Sequence, residues 1–295
     1  MNELLILSRA VHFGSCLALL SIFAVRLLVE RAAADDGRAE RRLAALCLAA
    51  AIVSGFLWLW ASAAGMSGST LRQALDPKIL GVVLEQTPPG QVWLIRGGFA
   101  VALAILLRFP RGAWRWPVWA ILAAVLVGSL AWLGHAGAGE DGRRTVMLAA
   151  DVVHLLAASL WPAGLLPFAL LLRRLVKTGA LPAAHAAVRR FSAMSLATVG
   201  VLAASGLVNA YFLVGSFQAL VTSGYGRLLI VKLVLFAAAV MLGAWNFLIH
   251  KPGIDVAPAA LPSMQRKVWI ELGLGALIIV VVAILGTLPP GVNGL

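Results

Sequence analysis

Charge is what this sequence has least of. Only 12% of its 295 residues are Asp, Glu, Lys or Arg, against 61% that are hydrophobic. A soluble domain carries roughly twice that charged fraction. With a mean hydropathy of +0.95, the chain has too few polar groups to coat an aqueous surface. A soluble globular fold is thereby excluded, and the lipid bilayer is left as the solvent. Cysteine is almost absent as well. Cys16 and Cys47 sit at apolar positions near opposite membrane faces, which rules out a disulfide framework. No GxxxxGK(S/T) run occurs, so a phosphate-loop nucleotide engine is excluded. The start, Met1–Leu20, has neither a basic segment ahead of its apolar run nor a small-residue cleavage site. It is expected to be a retained first helix rather than a signal peptide.

Long apolar runs, by contrast, are abundant. A helix needs roughly 20 apolar residues to cross the hydrocarbon layer. Eight stretches qualify: about 4–29, 43–66, 91–108, 116–135, 146–172, 191–216, 226–249 and 268–288. The expected fold is all-α, a polytopic membrane protein with eight transmembrane helices. The connections are short, and the longest, about 67–90, contains Pro and Gly and holds no span.

The formal charge of +12 invites a nucleic-acid partner, but its placement argues against one. Connections after odd-numbered spans hold 15 Lys and Arg, including Arg41, Arg42, Arg173, Arg174, Arg189 and Arg190; those after even-numbered spans hold 5. Basic residues mark the cytoplasmic side. Both termini are therefore expected to face outward, and no nucleic acid is expected to bind.

Four features recur in order along the two halves. His12 is matched by His154, Ser54-Gly55 by Ser205-Gly206, Arg96 by Lys232, and Leu133-Gly134 by Leu285-Gly286. This predicts two parallel four-helix units, residues 1–145 and 146–295, with a site between them or inside one.

Ionisable side chains inside a span are costly and point to function. His12 and His154 each fall about eight residues into an inward-running span, roughly 12 Å deep at 1.5 Å per residue. His135 closes span 4 on the same outer side. His12 and Cys16 share a helix face at i and i+4, as do Asp151 and His154 at i and i+3, with Met147 one turn earlier. Imidazole, thiolate and thioether together suit copper, and soft sulfur favours Cu(I). Asp151 suits Cu(II) as a ligand, or orients His154 from behind. The candidate metal ligands are thus His12, His135, His154, Asp151, Cys16 and Met147. His185 and His250 read as solvated loop histidines, and Met66 and Met194 as packing residues. Arg96 and Lys232 either pair with Asp151, attract an anionic group, or snorkel to the interface. Glu271 is expected to pair with Arg266 or Lys267, or to serve at a cytoplasmic exit. Asn209 and Asn246 are expected to bridge helices, and Trp161 to wall the site.

The order of these elements resembles the CopD/PcoD copper-resistance family of bacterial inner-membrane proteins. The stretches that carry the resemblance are Leu133-Gly134-His135-Ala136, Asp151-Val152-Val153-His154-Leu155-Leu156-Ala157-Ala158 with Trp161, and Gly206-Leu207-Val208-Asn209-Ala210. Tyr225-Gly226-Arg227-Leu228-Leu229 with Lys232, and Glu271-Leu272-Gly273 leading to Gly286-Thr287-Leu288-Pro289-Pro290, extend it. Pro162 departs from the family pattern and is expected to bend span 5 beside His154. The resemblance implies eight helices in the inner membrane, periplasmic termini, and a role in copper homeostasis, namely uptake from periplasm to cytoplasm. Copper would be captured from a periplasmic copper carrier protein at His12, His135 and His154, and would pass inward by Cys16 and Met241. A carrier rather than an enzyme is expected, and no catalytic residue is assigned. The alternative is a redox protein linked to quinone, using haem b or copper, since histidines on different helices suit axial haem ligation.

Overall fold

The computed structural model describes residues 2–30, 37–109, 112–138, 141–245 and 261–293. Among these, every regular element is a helix. Eight helical stretches are long and apolar enough to cross a membrane: Asn2–Glu30, Arg38–Ser67, Pro88–Leu106, Arg115–Leu133, Gly142–Lys177, Leu181–Val214, Gly224–Trp245 and Arg266–Leu285. They are spans 1 to 8. The sequence expectation of eight spans holds. Most boundaries move by a few residues, and span 6 begins about ten residues early. Its first turns carry Ala184, Ala187, Val188 and Phe191 into the core, so packing extends the helix ahead of its apolar run. The connection 67–90 contains a short helix, Pro77–Gln86, capped by the Asp76 carboxylate accepting from the Lys78 N–H at 2.9 Å. Asn246, His250 and Lys251 lie outside the described residues.

Spans 1 and 5 are the most buried and span 7 the least. Span 1 packs against spans 2, 4, 5 and 8. The sequence of span 2 shows why these helices approach closely. Ala44, Leu48, Ala51, Gly55 and Trp58 recur at spacings of three and four and form its buried stripe. Leu46, Val53 and Phe56 occupy the exposed side. In lipid there is little hydrophobic drive between helices, so small residues that admit close van der Waals contact decide which face pairs.

Two helices are broken where the cavity described below is built. Span 4 tightens into a 3-10 turn at Ser129–Leu133, and a second such turn, His135–Ala138, follows. Gly137 lies against the Trp132 carbonyl, leaving no room for a Cβ. Span 5 stops as an α-helix at Leu160 and resumes at Leu165. Pro162 supplies no N–H at the break, and the Ala163 N–H reaches back five residues to the Ala158 carbonyl at 3.1 Å. Gly164 presses on the Leu160 carbonyl, again excluding a side chain. The expected bend at Pro162 is thus a full interruption.

The end of the bundle opposite the chain termini is closed by charge. Arg26 meets Glu30 at 3.0 Å and Glu40 at 3.9 Å. Arg174 meets Glu40 at 3.2 Å and also binds Glu30. Arg190 donates to the Val29 carbonyl at 3.0 Å. Spans 1, 2, 5 and 6 are tied together by this network.

Candidate functional site

The six candidate ligands divide into two groups, so the expected meeting of three histidines at one point does not occur. His12 and Cys16 belong to a closed polar cluster within the first four spans. The His12 Nδ1–H donates to the Ala51 carbonyl at 2.8 Å, with the Ser54 hydroxyl at 3.3 Å. Because a carbonyl only accepts, Nδ1 carries the proton and Nε2 is the acceptor. Nε2 is taken by the Arg96 guanidinium at 2.7 Å. Arg96 also donates to the Leu126 carbonyl and the Ser129 hydroxyl, each at 2.5 Å, and reaches the Cys16 sulfur at 3.6 Å. Trp58 and Trp93 wall the imidazole at centroid distances of 5.7 and 5.2 Å. Both ring nitrogens are therefore occupied, and a cation stands where a metal would bind. Arg96 neither meets Asp151 nor snorkels. It is buried, and His12 is one of its acceptors.

The second group lines a cavity of about 300 Å³ at the end where span 1 begins and span 8 ends. His135, Met147, Asp151 and His154 are on its wall, with Asn209, Tyr225 and Lys232 from spans 6 and 7 and Arg9 from span 1. The second half repeats the local geometry of the first. His154 Nδ1 lies 3.0 Å from the Ser205 hydroxyl, and that hydroxyl donates to the Val201 carbonyl at 2.6 Å. Ser205 thus accepts, so Nδ1 bears the proton and Nε2 offers its lone pair. Gly206 faces the imidazole much as Gly55 faces His12. The halves differ at Nε2. Arg96 closes it in the first. In the second, the imidazole has the Leu202 backbone and the Ser205 hydroxyl as partners, as His12 has Ala51 and Ser54, and among the described residues no side chain hydrogen-bonds its Nε2.

Asp151 Oδ1 accepts from the Asn209 amide at 3.3 Å, which realises the expected helix bridge. Lys232 is its nearby cation. His135 stands on the 3-10 turn after span 4. Its Nε2–H donates to the Leu285 carbonyl at 3.4 Å, and its ring meets Tyr225 edge-on at 5.8 Å. Burial, aided by the Arg9 charge, holds the His135 pKa below the ordinary histidine value, so the ring is neutral near pH 7 and Nδ1 is unprotonated. Among the described residues, no three His, Cys, Asp or Glu side chains are grouped to hold a metal ion. The cavity carries donors on its wall without closing them on one point.

Other expectations meet mixed outcomes. Met241 is exposed on span 7 and Cys16 is enclosed, so the two form no inward path. Met194 packs in the core, while Met66 is exposed. Trp161 lies beside the break in span 5, against Phe236 at 5.9 Å. Glu271 is buried, its carboxylate near Gly243 and Trp161. Lys267 stacks on Trp245 at 5.6 Å. Arg9 was given no role from the sequence, while Ser205 and Tyr225 were named only in the repeat and in the family resemblance and not as site residues. Arg9 was recoverable from its register: it stands three residues before His12, as Asp151 stands three before His154.

These features define a class: a polytopic helical membrane protein with a histidine- and carboxylate-lined cavity at one end of the bundle. Residues 1–146 match the family described as copper resistance protein D-like, N-terminal domain, and residues 185–285 match copper resistance protein D. Copper resistance protein D of Pseudomonas syringae pv. tomato is 34% identical over 71% of this chain and 71% of its own length. Inner membrane protein YebZ of Escherichia coli is 31% identical over 77% of each chain. Copper transport protein CutJ of Bacillus subtilis is 30% identical over 76% of this chain, which spans 41% of that longer protein. No solved structure matches significantly. The chain belongs to the CopD/PcoD copper-resistance family.

Proposed function

We propose that this chain is a copper carrier of the bacterial inner membrane, which receives copper on the periplasmic side and passes it toward the cytoplasm. The observation that supports this most is the cavity wall, where the open Nε2 of His154, the Nδ1 of His135, the Asp151 carboxylate and the Met147 thioether face one space. These donors suit copper in either oxidation state. His12 and Cys16 stay outside the ligand set, because Arg96 occupies them. The donors are spread rather than clustered, which suits a cargo that must leave again. A periplasmic copper carrier protein would complete the coordination sphere during delivery. The excess of basic residues after odd-numbered spans supports periplasmic termini. The bis-histidine haem arrangement loses its basis, since His12 has no free nitrogen. No group here is assigned a catalytic role.

The test is the metal content of the purified protein, together with copper accumulation in cells. Wild type should bind copper, and His154→Ala should lose most of it while remaining in the membrane. Cells expressing wild type should gain copper. A fall would mean export, and an unchanged content would mean delivery without transport. A reporter fused at the C-terminus should read as periplasmic, and cytoplasmic activity would overturn the orientation.

A further inference from the structure

Arg9 is a buried guanidinium without an anionic partner among the described residues. Its side chain is 7% exposed. Its Nε is buried and without a hydrogen-bond partner among the described residues, and no charged group among them offsets it. What it has is the face of Trp58 at 4.5 Å and the backbone at Gly286, which it touches closely enough to exclude a Cβ. The other buried guanidiniums are served differently: Arg26 has Glu30, and Arg96 has His12, Ser129 and a carbonyl. In a membrane helix, an uncompensated charge is costly and marks a ligand.

Arg9 also lines the cavity, so the charges there can be compared. By side-chain type, its wall holds two basic groups, Arg9 and Lys232, against one acid, Asp151. A bare copper ion would enter a space that already carries a surplus positive charge at low dielectric, where repulsion is strong. We infer that the cavity accepts a small monoanion at Arg9, a halide or a carboxylate, and that copper is held there together with this anionic companion rather than as a bare ion. The register of the two halves fits this. The second half places a carboxylate three residues before its histidine, and the first half places the guanidinium at the same offset, so one side of the cavity takes the cation and the other the anion. The second clause of this inference rests on the copper reading; anion acceptance by Arg9 does not.

The test is equilibrium binding of radiolabelled chloride and, in a separate arm, radiolabelled acetate to the full chain in nanodiscs, with and without copper. The arms distinguish a halide from a carboxylate. Saturable binding of either anion near one per chain is expected. Arg9→Gln should weaken it about tenfold or more, as expected for loss of a charge-assisted hydrogen bond, and Asp151→Asn should tighten it by removing the opposing charge. Arg9→Lys, which keeps the charge, should bind within a few-fold of wild type and serves if Arg9→Gln fails to reach the membrane. Wild type that binds neither anion overturns the inference, as does unchanged binding in Arg9→Gln or weaker binding in Asp151→Asn. Copper measured in the same samples separates the two readings. Anion uptake without copper keeps Arg9 as an anion site and removes copper as cargo; copper uptake without the anion does the reverse.

Discussion

The two halves present the same local unit, a histidine held by a serine and a glycine, yet only one of the two imidazoles is free to bind. Paired substitutions test this directly. In His12→Gln, the new amide N–H reaches for the Ala51 carbonyl and its oxygen accepts from Arg96, so both bonds at 2.8 and 2.7 Å have replacements. Stability should change by less than about 1 kcal/mol and copper stoichiometry should not change. His12→Ala instead leaves the Arg96 guanidinium short of an acceptor inside the bundle. That costs about 2 kcal/mol, roughly thirtyfold in the folding equilibrium. His154→Gln gives up the bond to Ser205 at 3.0 Å and the contact with the Leu202 backbone, about 1 kcal/mol each at most, and should nonetheless lose copper almost entirely. The assay is thermal unfolding in detergent alongside metal analysis after dialysis. The reasoning fails if His12→Gln loses copper as fully as His154→Gln at wild-type thermal stability.

Three further outcomes are expected. Ser205→Ala frees the imidazole to turn and should lower copper affinity about 10–100-fold, whereas Ser54→Ala should leave it unchanged; isothermal titration reads both. Glu30→Gln removes the carboxylate shared by Arg26 and Arg174 and should destabilise the protein by about 3 kcal/mol, with a clearly sub-additive effect in the Arg26→Gln, Glu30→Gln double variant. His135 is held below the ordinary histidine pKa, so the unfolded chain takes up its proton first as pH falls. Its contribution is intact well above the ordinary histidine value of about 6.5 and is lost progressively as pH falls through and below it. Wild type should therefore lose more thermal stability on such acidification than His135→Gln, and an equal loss would remove the effect.

The spans were legible because a hydrocarbon layer demands about 20 apolar residues and the chain supplies eight such runs. Pro162 was legible as a bend, because proline removes a helix donor whatever surrounds it, but the full interruption also needs Gly164 pressed on the Leu160 carbonyl. The site was legible in part. Asp151, His154 and Met147 share one face of one helix, so i, i+3 and i+4 spacing brought them to one wall. The same spacing joined His12 to Cys16, correctly as neighbours at 3.7 Å, but helical periodicity does not say what the facing helix brings. Here span 3 brings Arg96, a residue 84 positions away, and that contact decides the role of His12. The ion network at the end of the bundle opposite the termini was hidden for the same reason. Glu40 and Arg174 lie 134 residues apart, and only the packing of spans 1, 2, 5 and 6 makes them partners.

Gly286 has a consequence out of proportion to its size. The Arg9 guanidinium rests where a methyl group on this residue would stand. An alanine here introduces no charge, yet it would displace one. The field inside the cavity is therefore governed partly by a residue with no side chain at the end of span 8, and a neutral exchange there should act as an electrostatic substitution.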